Sequence, residues 1–423
     1  MQISVVGGGY VGLVSAVCLA ELGHIVRLIE IDQKKVDLIN HGIPPIFELG
    51  LEEILKKNIG SGLIALSGYE EMENADCIVI CVGTPPDKEG AADLSYIKSA
   101  AQSIGKAVKD IDKYQVITVK STVPPGTTET LVKPIVMQNS GRTNDTLGFC
   151  MNPEFLREGR AIDDFMHPDR IVIGGDCDEA VRIFRKIYEN LNAPLLSCSL
   201  KAAEMIKYAS NAFLATKISF SNEIGNLCKK MGIDVYDVMK GVGYDHRINP
   251  YFLNAGLGFG GSCFPKDVSA LVKLAEKYGE KPVLLKSVLS INDKQPARIV
   301  SLLEERIGSL KSKHIAVLGL AFKDNTDDVR DSRAIPVIEK LLKKGANVVA
   351  YDPMANETMK KVFPCIKYCE KPGAALSGAD ACLVLTEWPQ FSDLNDEFRL
   401  MKNRVIIEGR RILSADVTEG VCW

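Results

Sequence analysis

Long apolar runs are almost absent from this 423-residue chain. Only residues 3–22 approach the ~18 residues that a membrane-spanning helix needs. That stretch is broken by the consecutive glycines Gly7 to Gly9 and has no basic residues before it, so it reads as neither a signal peptide nor an anchor. An excess of one charge is lacking too. The 51 Lys and Arg against 54 Asp and Glu leave a net charge of −3, which excludes the basic field that nucleic acid requires. An anionic ligand must therefore be held by a local site. Tight cysteine pairs with nearby histidines are missing as well. Neither Cys77/Cys81 nor Cys365/Cys369 has that pattern, which argues against a structural metal. Most of the twelve cysteines lie in apolar runs such as DCIVICVG and read as buried free thiols. The expectation is a soluble protein of a reducing cytoplasm, in two or three domains because the chain is too long for one core.

What is present begins with strand, turn, helix and strand. Residues 3–6 form a short apolar strand, and Gly7, Gly9 and Gly12 make G-x-G-x-x-G. A helical pattern then runs to about Leu22, with Gly23 as its stop. Residues 25–30 supply a second strand ending in Glu30, 18 residues after Gly12, near the spacing of the acid that holds an adenosine ribose. Further strands at 77–82, 116–120 and 171–174 alternate with helical stretches, predicting a doubly wound parallel sheet. Residues 201–230 contain no proline and no glycine before Gly225, and Met205, Ile206, Ala209, Phe213, Ile218 and Leu227 recur at helical intervals. They predict one long helix whose wide apolar coverage suits burial against another subunit. Beyond it, residues 314–319 and 346–352 open a second α/β domain. A weak internal repeat supports this: residues 75–80 resemble 379–384, and both runs end near a threonine, Thr84 and Thr386. The second copy lacks G-x-G-x-x-G, which implies a different nucleotide.

Glycines at Gly7, Gly9 and Gly12 let the backbone approach a pyrophosphate, and the helix start offers free N–H groups and positive potential. Glu30 would accept from both ribose hydroxyls and repel a 2′-phosphate, favouring NAD. The segment GFGGSCFPKD is the most informative. Pro265 suits the first turn of a helix and so places Cys263 at its N-terminus, where a thiolate is favoured. Asp267 then lies one turn further on the same face, and Gly260 and Gly261 leave room beside the sulfur. Lys207 and Asn211, four residues apart on the long helix, point the same way. Glu154 and Glu158, in NPEFLREG, have the same spacing. The turn KSTVPPGT, at a strand's carboxyl end, lies where ligands bind in open α/β sheets.

With these five segments in hand, the chain resembles the UDP-glucose/GDP-mannose dehydrogenase family over nearly its whole length. The resemblance implies two Rossmann-like doubly wound domains joined by a long central helix that forms a homodimer, with boundaries at 1–197, 198–297 and 298–423. It implies NAD contacts from Gly7, Gly9, Tyr10, Val11, Gly12, Glu30, Lys35, Thr84, Thr122, Glu158 and Arg330. The implied catalytic group is Thr122, Glu154, Glu158, Lys207, Asn211, Cys263 and Asp267. Sugar-nucleotide contacts would come from Glu154, Phe155, Leu156 and Arg157, from Lys207 and Asn211, and from Tyr251, Phe252, Leu253, Gly256, Gly258, Phe259 and Gly260. Phe322, Lys323 and Arg410 would complete them, and Arg247 would reach the sugar from the neighbouring subunit. Three positions depart from the family pattern: Asn249 where glycine is usual, Leu49 where proline is usual, and Arg333 in place of the proline common after Ser332.

The activity so implied is NAD-dependent oxidation of C6 of UDP-glucose to UDP-glucuronate through a thiohemiacetal and a thioester on Cys263. The ending EGVCW is like that of GDP-mannose dehydrogenases, whereas INPYFLNAGLGFGGSCFPKD favours the UDP-glucose branch, and UDP-N-acetyl sugars are a further alternative. A two-electron β-hydroxyacid-type dehydrogenase would share the cofactor domain, long helix and lysine but would not need Cys263. A non-catalytic NAD-responsive protein would not need nucleophile and proton-transfer groups together.

Overall fold

The computed structural model describes residues 1–413 and 418–423, which form two compact units, Met1–Ser210 and Asn211–Trp423. The first is built on an eight-stranded sheet: β1 (Gln2–Val6), β2 (Ile25–Ile29), β3 (Leu63–Leu66), β4 (Cys77–Ile80), β5 (Gln115–Val119), β6 (Leu147–Met151), β7 (Ile171–Gly175) and β8 (Leu195–Ser199). Their order is β3-β2-β1-β4-β5-β6-β7-β8. Strands β4, β5 and β6 are buried along their whole length, as strands covered on both faces must be. Successive residues feed opposite cores: Val5 and Val79 pack on one face, Val6 and Ile80 on the other.

The sheet departs from the expected wholly parallel one. β6 and β7 pair antiparallel, with Met151 opposite Gly174. Adjacent antiparallel strands are joined at one end of the sheet, without a crossover. Residues 152–170, which hold only the short helix Ala161–Met166, therefore stay at the carboxyl edge where β1, β4 and β5 also end. The chain reversal thus keeps Glu154 and Glu158 at the edge where open α/β sheets in general bind ligands.

The second unit carries a six-stranded sheet of β9 (His314–Leu318), β10 (Asn347–Tyr351), β11 (Lys367–Tyr368), β12 (Ala381–Val384), β13 (Ile406–Glu408) and β14 (Thr418–Gly420), ordered β11-β10-β9-β12-β13-β14. Every pairing in it is parallel. The weak repeat seen in the sequence has an atomic counterpart. Asp76, just before β4, accepts from the Gln2 N–H at 2.9 Å, and Asp380, just before β12, accepts from the His314 N–H at 3.0 Å. Each carboxylate thus satisfies the first donor of its unit's opening strand.

The predicted long helix runs from Leu200 to Met231, and the boundary between the units falls inside it. Two more helices matter for the chemistry, Phe264–Lys277 and Val283–Ile307. Among the described residues no helix is long and apolar enough to cross a membrane. All twelve cysteines are free thiols, and burial pushes Cys18 and Cys81 up to about 12. These two are inert packing groups, whereas Cys263 is exposed.

Candidate active site

In the first unit the glycine loop closes β1 onto the helix Tyr10–Glu21. Gly7 has φ +106°, and a Cβ on Gly12 would stand 1.7 Å from the Gly7 carbonyl oxygen, so both must be glycine. A Cβ on Gly9 would meet nothing within 4 Å, leaving open space beside the helix start. No side chain caps that helix and its first turn holds no acidic residue, so its positive end is left to a ligand anion. Glu30 is buried at the end of β2 and accepts from the Gly8 N–H at 3.0 Å and the Asp32 N–H at 2.9 Å. Each carboxylate oxygen keeps a second lone pair for a hydroxyl donor. Lys35 Nζ stands 4.0 Å from Glu30 Oε2. These features fit an adenine dinucleotide with a free ribose diol.

Thr84 and Thr122 follow β4 and β5, and Thr84 Oγ1 donates to the Thr122 carbonyl at 2.8 Å. The loop after Thr122 is anchored by a residue that sequence reasoning missed. Glu204, fully buried on the long helix, accepts from the Gly126 N–H, the Thr128 N–H at 2.8 Å and the Thr128 hydroxyl at 2.6 Å. Burial pushes its carboxyl up despite those bonds. Glu48 was also missed. It accepts from the Tyr10 hydroxyl, the Gly159 N–H at 2.7 Å and the Ala161 N–H at 2.9 Å, joining the cofactor loop to the segment that carries Glu158. Burial raises the Tyr10 phenol, aided by Glu48 and then by the charge of Glu158.

Lys207 is buried, with its Nζ 2.9 Å from Glu154 Oε1. Glu154 Oε2 accepts from the Leu156 N–H at 2.6 Å. The Phe155 ring lies against this pair, 5.5 Å from Lys207 Nζ, with the Arg170 guanidinium 3.8 Å from its centroid. Arg157 instead forms an ion pair with Asp164 on the surface.

In the second unit, Cys263 stands immediately before the helix Phe264–Lys277, with Pro265 in the first turn, as the sequence predicts. Ser262 Oγ lies 3.6 Å from the sulfur. Asp267 is almost wholly buried, and its N–H bonds the Cys263 carbonyl at 2.8 Å. Its carboxylate accepts from Asn211 Nδ2 at 2.6 Å and from Lys266. Asp267 is thus tied by its backbone to Cys263 and by its carboxylate to the asparagine of the long helix.

The loop that enters Cys263 is closely packed. A Cβ on Gly261, at φ +81°, would stand 2.7 Å from the Phe322 ring, and the Gly261 N–H bonds the Arg330 carbonyl at 3.0 Å. Phe322 and Arg330 thus lie beside the loop that enters Cys263; the Arg330 guanidinium pairs with Asp328, and Lys323 Nζ stands 5.8 Å from the Phe322 ring. Arg410 donates to the Gly258 carbonyl and pairs with Glu387 at 3.1 Å. Leu253, Gly256, Gly258 and Phe259 are buried, while Tyr251 is exposed. Asn249 has φ +69°, a left-handed conformation that glycine adopts most readily, and its side chain accepts from the Tyr251 N–H at 3.0 Å. Phe252, at φ +63°, is a bulky residue in a region it rarely adopts, a strain of roughly 1–3 kcal/mol of the kind that collects at functional sites. Arg247 is exposed and pairs with Asp245 in its own turn. Arg333 is mostly buried and donates to the Asp331 carbonyl, stabilising Asp331 at φ +50°.

The chain matches three family models. Residues 1–192 match the UDP-glucose/GDP-mannose dehydrogenase family NAD binding domain, residues 201–294 its central domain, and residues 316–415 its UDP binding domain. It is 46% identical over 420 residues to the UDP-glucose 6-dehydrogenase AglM of Haloferax volcanii, covering 98% of this chain and 97% of that one. A UDP-glucose dehydrogenase structure from Pyrobaculum islandicum superposes with a TM-score of 0.95 at 43% identity, covering 100% of this chain and 98% of the other. A UDP-D-ManNAc dehydrogenase structure from Pyrococcus horikoshii gives 0.88 at 28% identity, covering 100% and 99%.

Proposed function

The chain belongs to the UDP-glucose/GDP-mannose dehydrogenase family, and from that premise we propose that it oxidises C6 of UDP-glucose to UDP-glucuronate through a thiohemiacetal and a thioester on Cys263. It is an NAD-dependent dehydrogenase. The observation that carries the mechanism is the exposed Cys263 at a helix start, with buried Asp267 one turn on and bonded to Asn211. The reaction removes two hydrides from one carbon and adds one oxygen from water. NAD, when bound, supplies the two hydride acceptors, one per molecule.

The chain's own groups do the rest. The Cys263 thiolate adds to the C6 aldehyde, forming a C–S bond and an alkoxide. Loss of the second hydride turns that adduct into a thioester, and water then displaces the sulfur, which departs as thiolate. Lys207 and Asn211, on successive turns of one helix, donate to the developing oxyanion, a role in which losing one donor typically costs ~3 kcal/mol. Asp267 and Glu154 or Glu158 move protons and activate water. Thr122, held to Thr84, orders the catalytic and nicotinamide side of the first unit. Tyr251 to Gly260, with Phe322, Lys323 and Arg410, hold the sugar nucleotide.

The proposal includes a homodimer through the long helix. Phe213, Phe220 and Leu227 are exposed at intervals of seven residues along it, forming an apolar stripe that a second copy would cover. Arg247 then completes the neighbour's site. We place the protein in the cytoplasm and keep its division at 1–197, 198–297 and 298–423 within this reading. Turnover with UDP-glucose, GDP-mannose and UDP-N-acetyl sugars, counting NADH per sugar, tests it. Two NADH per UDP-glucose is expected. One NADH per sugar would favour the β-hydroxyacid type, and faster turnover of another sugar would reassign the substrate.

A further inference from the structure

We infer that the side-chain amides of Asn222, Asn292 and Gln295 are positioning residues that hold residues 256–259 in place and so fix the loop entering Cys263; the inference rests on the reaction proposed above. This stretch belongs to no helix or sheet, yet its backbone is buried and needs partners. Three amides provide them. The Gly256 N–H donates to Asn222 Oδ1 at 2.7 Å, and the Gly256 carbonyl accepts from Gln295 Nε2 at 2.8 Å. Asn292 takes both groups of Phe259, accepting its N–H at 2.7 Å and donating to its carbonyl at 3.0 Å. One side chain thereby does for Phe259 what a neighbouring strand does in a sheet.

Two of the amides are themselves fixed. Asn292 and Gln295 sit three residues apart on one face of the helix Val283–Ile307, and all three amides are at most 2% exposed. Asn226 Nδ2 donates to Gln295 Oε1 at 2.8 Å, which leaves the Gln295 amino end for Gly256. The contact is close enough that a Cβ on Gly258 would stand 2.2 Å from Asn292 Oδ1. The Phe259 ring packs edge-on against Phe264, 5.9 Å between centroids, and lies in the same small core as Val268. Both belong to the helix that Cys263 opens, so the placement of Phe259 passes to the nucleophile. Side chains chosen only to fill space would not pair donors with acceptors at both backbone groups of Gly256 and both of Phe259.

Two substitutions separate an amide role from a filling role. Asn292→Leu keeps the volume and loses both bonds. Asn292→Asp keeps an acceptor for the Phe259 N–H but sets a carboxylate oxygen against the Phe259 carbonyl, until protonation supplies the missing donor. In Asn292→Leu, kcat should fall ~100-fold at every pH, the usual scale for a misplaced reacting group, with KM for NAD unchanged. Asn292→Asp should match it in alkali and regain at least ~10-fold relative to wild type as pH falls, since a proton there restores the hydrogen-bond pattern. A flat ratio of Asn292→Asp to wild type across pH, or wild-type kcat in Asn292→Leu, would overturn the inference. Hydrogen exchange reads the clamp without substrate. Residues 255–260 should exchange at least ~10-fold faster in Asn292→Leu, and unchanged exchange would overturn the clamp. If wild type oxidised none of the sugars the proposed reaction would be wrong, and exchange would still decide the clamp.

Discussion

Lys207 Nζ lies 2.9 Å from Glu154 Oε1, and the two side chains are only 5% and 7% exposed. Burial pushes the Glu154 carboxyl up. The Lys207 charge and hydrogen bond, followed by the Leu156 N–H and the Lys120 charge, outweigh burial and hold it below the ordinary value. A buried ion pair of this kind is weak evidence for stability but strong evidence of a requirement, because each charge is costly without the other.

Glu154→Gln should therefore destabilise the protein by about 3–5 kcal/mol at neutral pH by removing the carboxylate charge that faces a buried ammonium. Because the folded pKa is depressed, the ionised carboxylate stabilises the fold above the unfolded value of about 4.3, and this is lost as pH falls through the folded value. The gap in denaturant midpoint between variant and wild type should be wide at neutral pH and narrow in acid. An equal gap at both would mean that Glu154 is not ionised in the fold.

Glu30 predicts cofactor choice. Its two oxygens already accept the Gly8 and Asp32 N–H groups, so its position is fixed at the end of β2. A 2′-phosphate there would meet a carboxylate that cannot withdraw, and like-charge contact costs several kcal/mol, or ~100-fold and more. Steady-state kcat/KM should favour NAD over NADP by at least that factor, and Glu30→Gln should narrow the ratio. Comparable efficiencies in the wild type would remove Glu30 from the ribose.

The exposed stripe of Phe213, Phe220 and Leu227 predicts the assembly. Sedimentation at micromolar concentration should show a dimer without substantial monomer, and Phe220→Glu should shift it to monomer with loss of activity. A fully active monomer would sink both the interface and the role of Arg247.

What could be read from the sequence was local. The glycine loop with Glu30, and Cys263 with Pro265 and Asp267, lie within a few turns of chain, where spacing alone constrains geometry. The repeat of Asp76 in Asp380 was legible because residues 75–80 and 379–384 are alike in sequence, and each aspartate caps the start of its unit's opening strand. Glu48 and Glu204 were not, because their partners are 111 and 78 residues away and nothing nearby distinguishes them from surface acids. Asn222, Asn292 and Gln295 look like ordinary polar helix positions until the loop they hold is placed beside them. The reversal of β7 was equally hidden, since an apolar run gives a strand's burial and not its direction.

Cys263 carries the sharpest prediction. Converting an alcohol to an acid takes two hydride transfers, and the second needs a tetrahedral carbon bearing an oxyanion. In the proposed mechanism the Cys263 thiolate, at a helix start, creates that carbon covalently and retains it while the cofactor is exchanged. Cys263→Ala cannot form the adduct, but it leaves untouched the Asn211–Asp267 bond, the Lys207–Glu154 pair and the glycine loop. It should bind both ligands and lose UDP-glucuronate production by several orders of magnitude, while still reducing the added 6-aldehyde with NADH, because that step needs no sulfur. Cys263→Ser keeps the shape but offers a nucleophile of far higher pKa, so it should stall at the second oxidation or at release of the acyl group. The decisive comparison is product per NADH in single-turnover experiments. If Cys263→Ala made UDP-glucuronate near the wild-type rate, the aldehyde would be oxidised as its hydrate, and Cys263 would be an exposed thiol beside a site that does not use it.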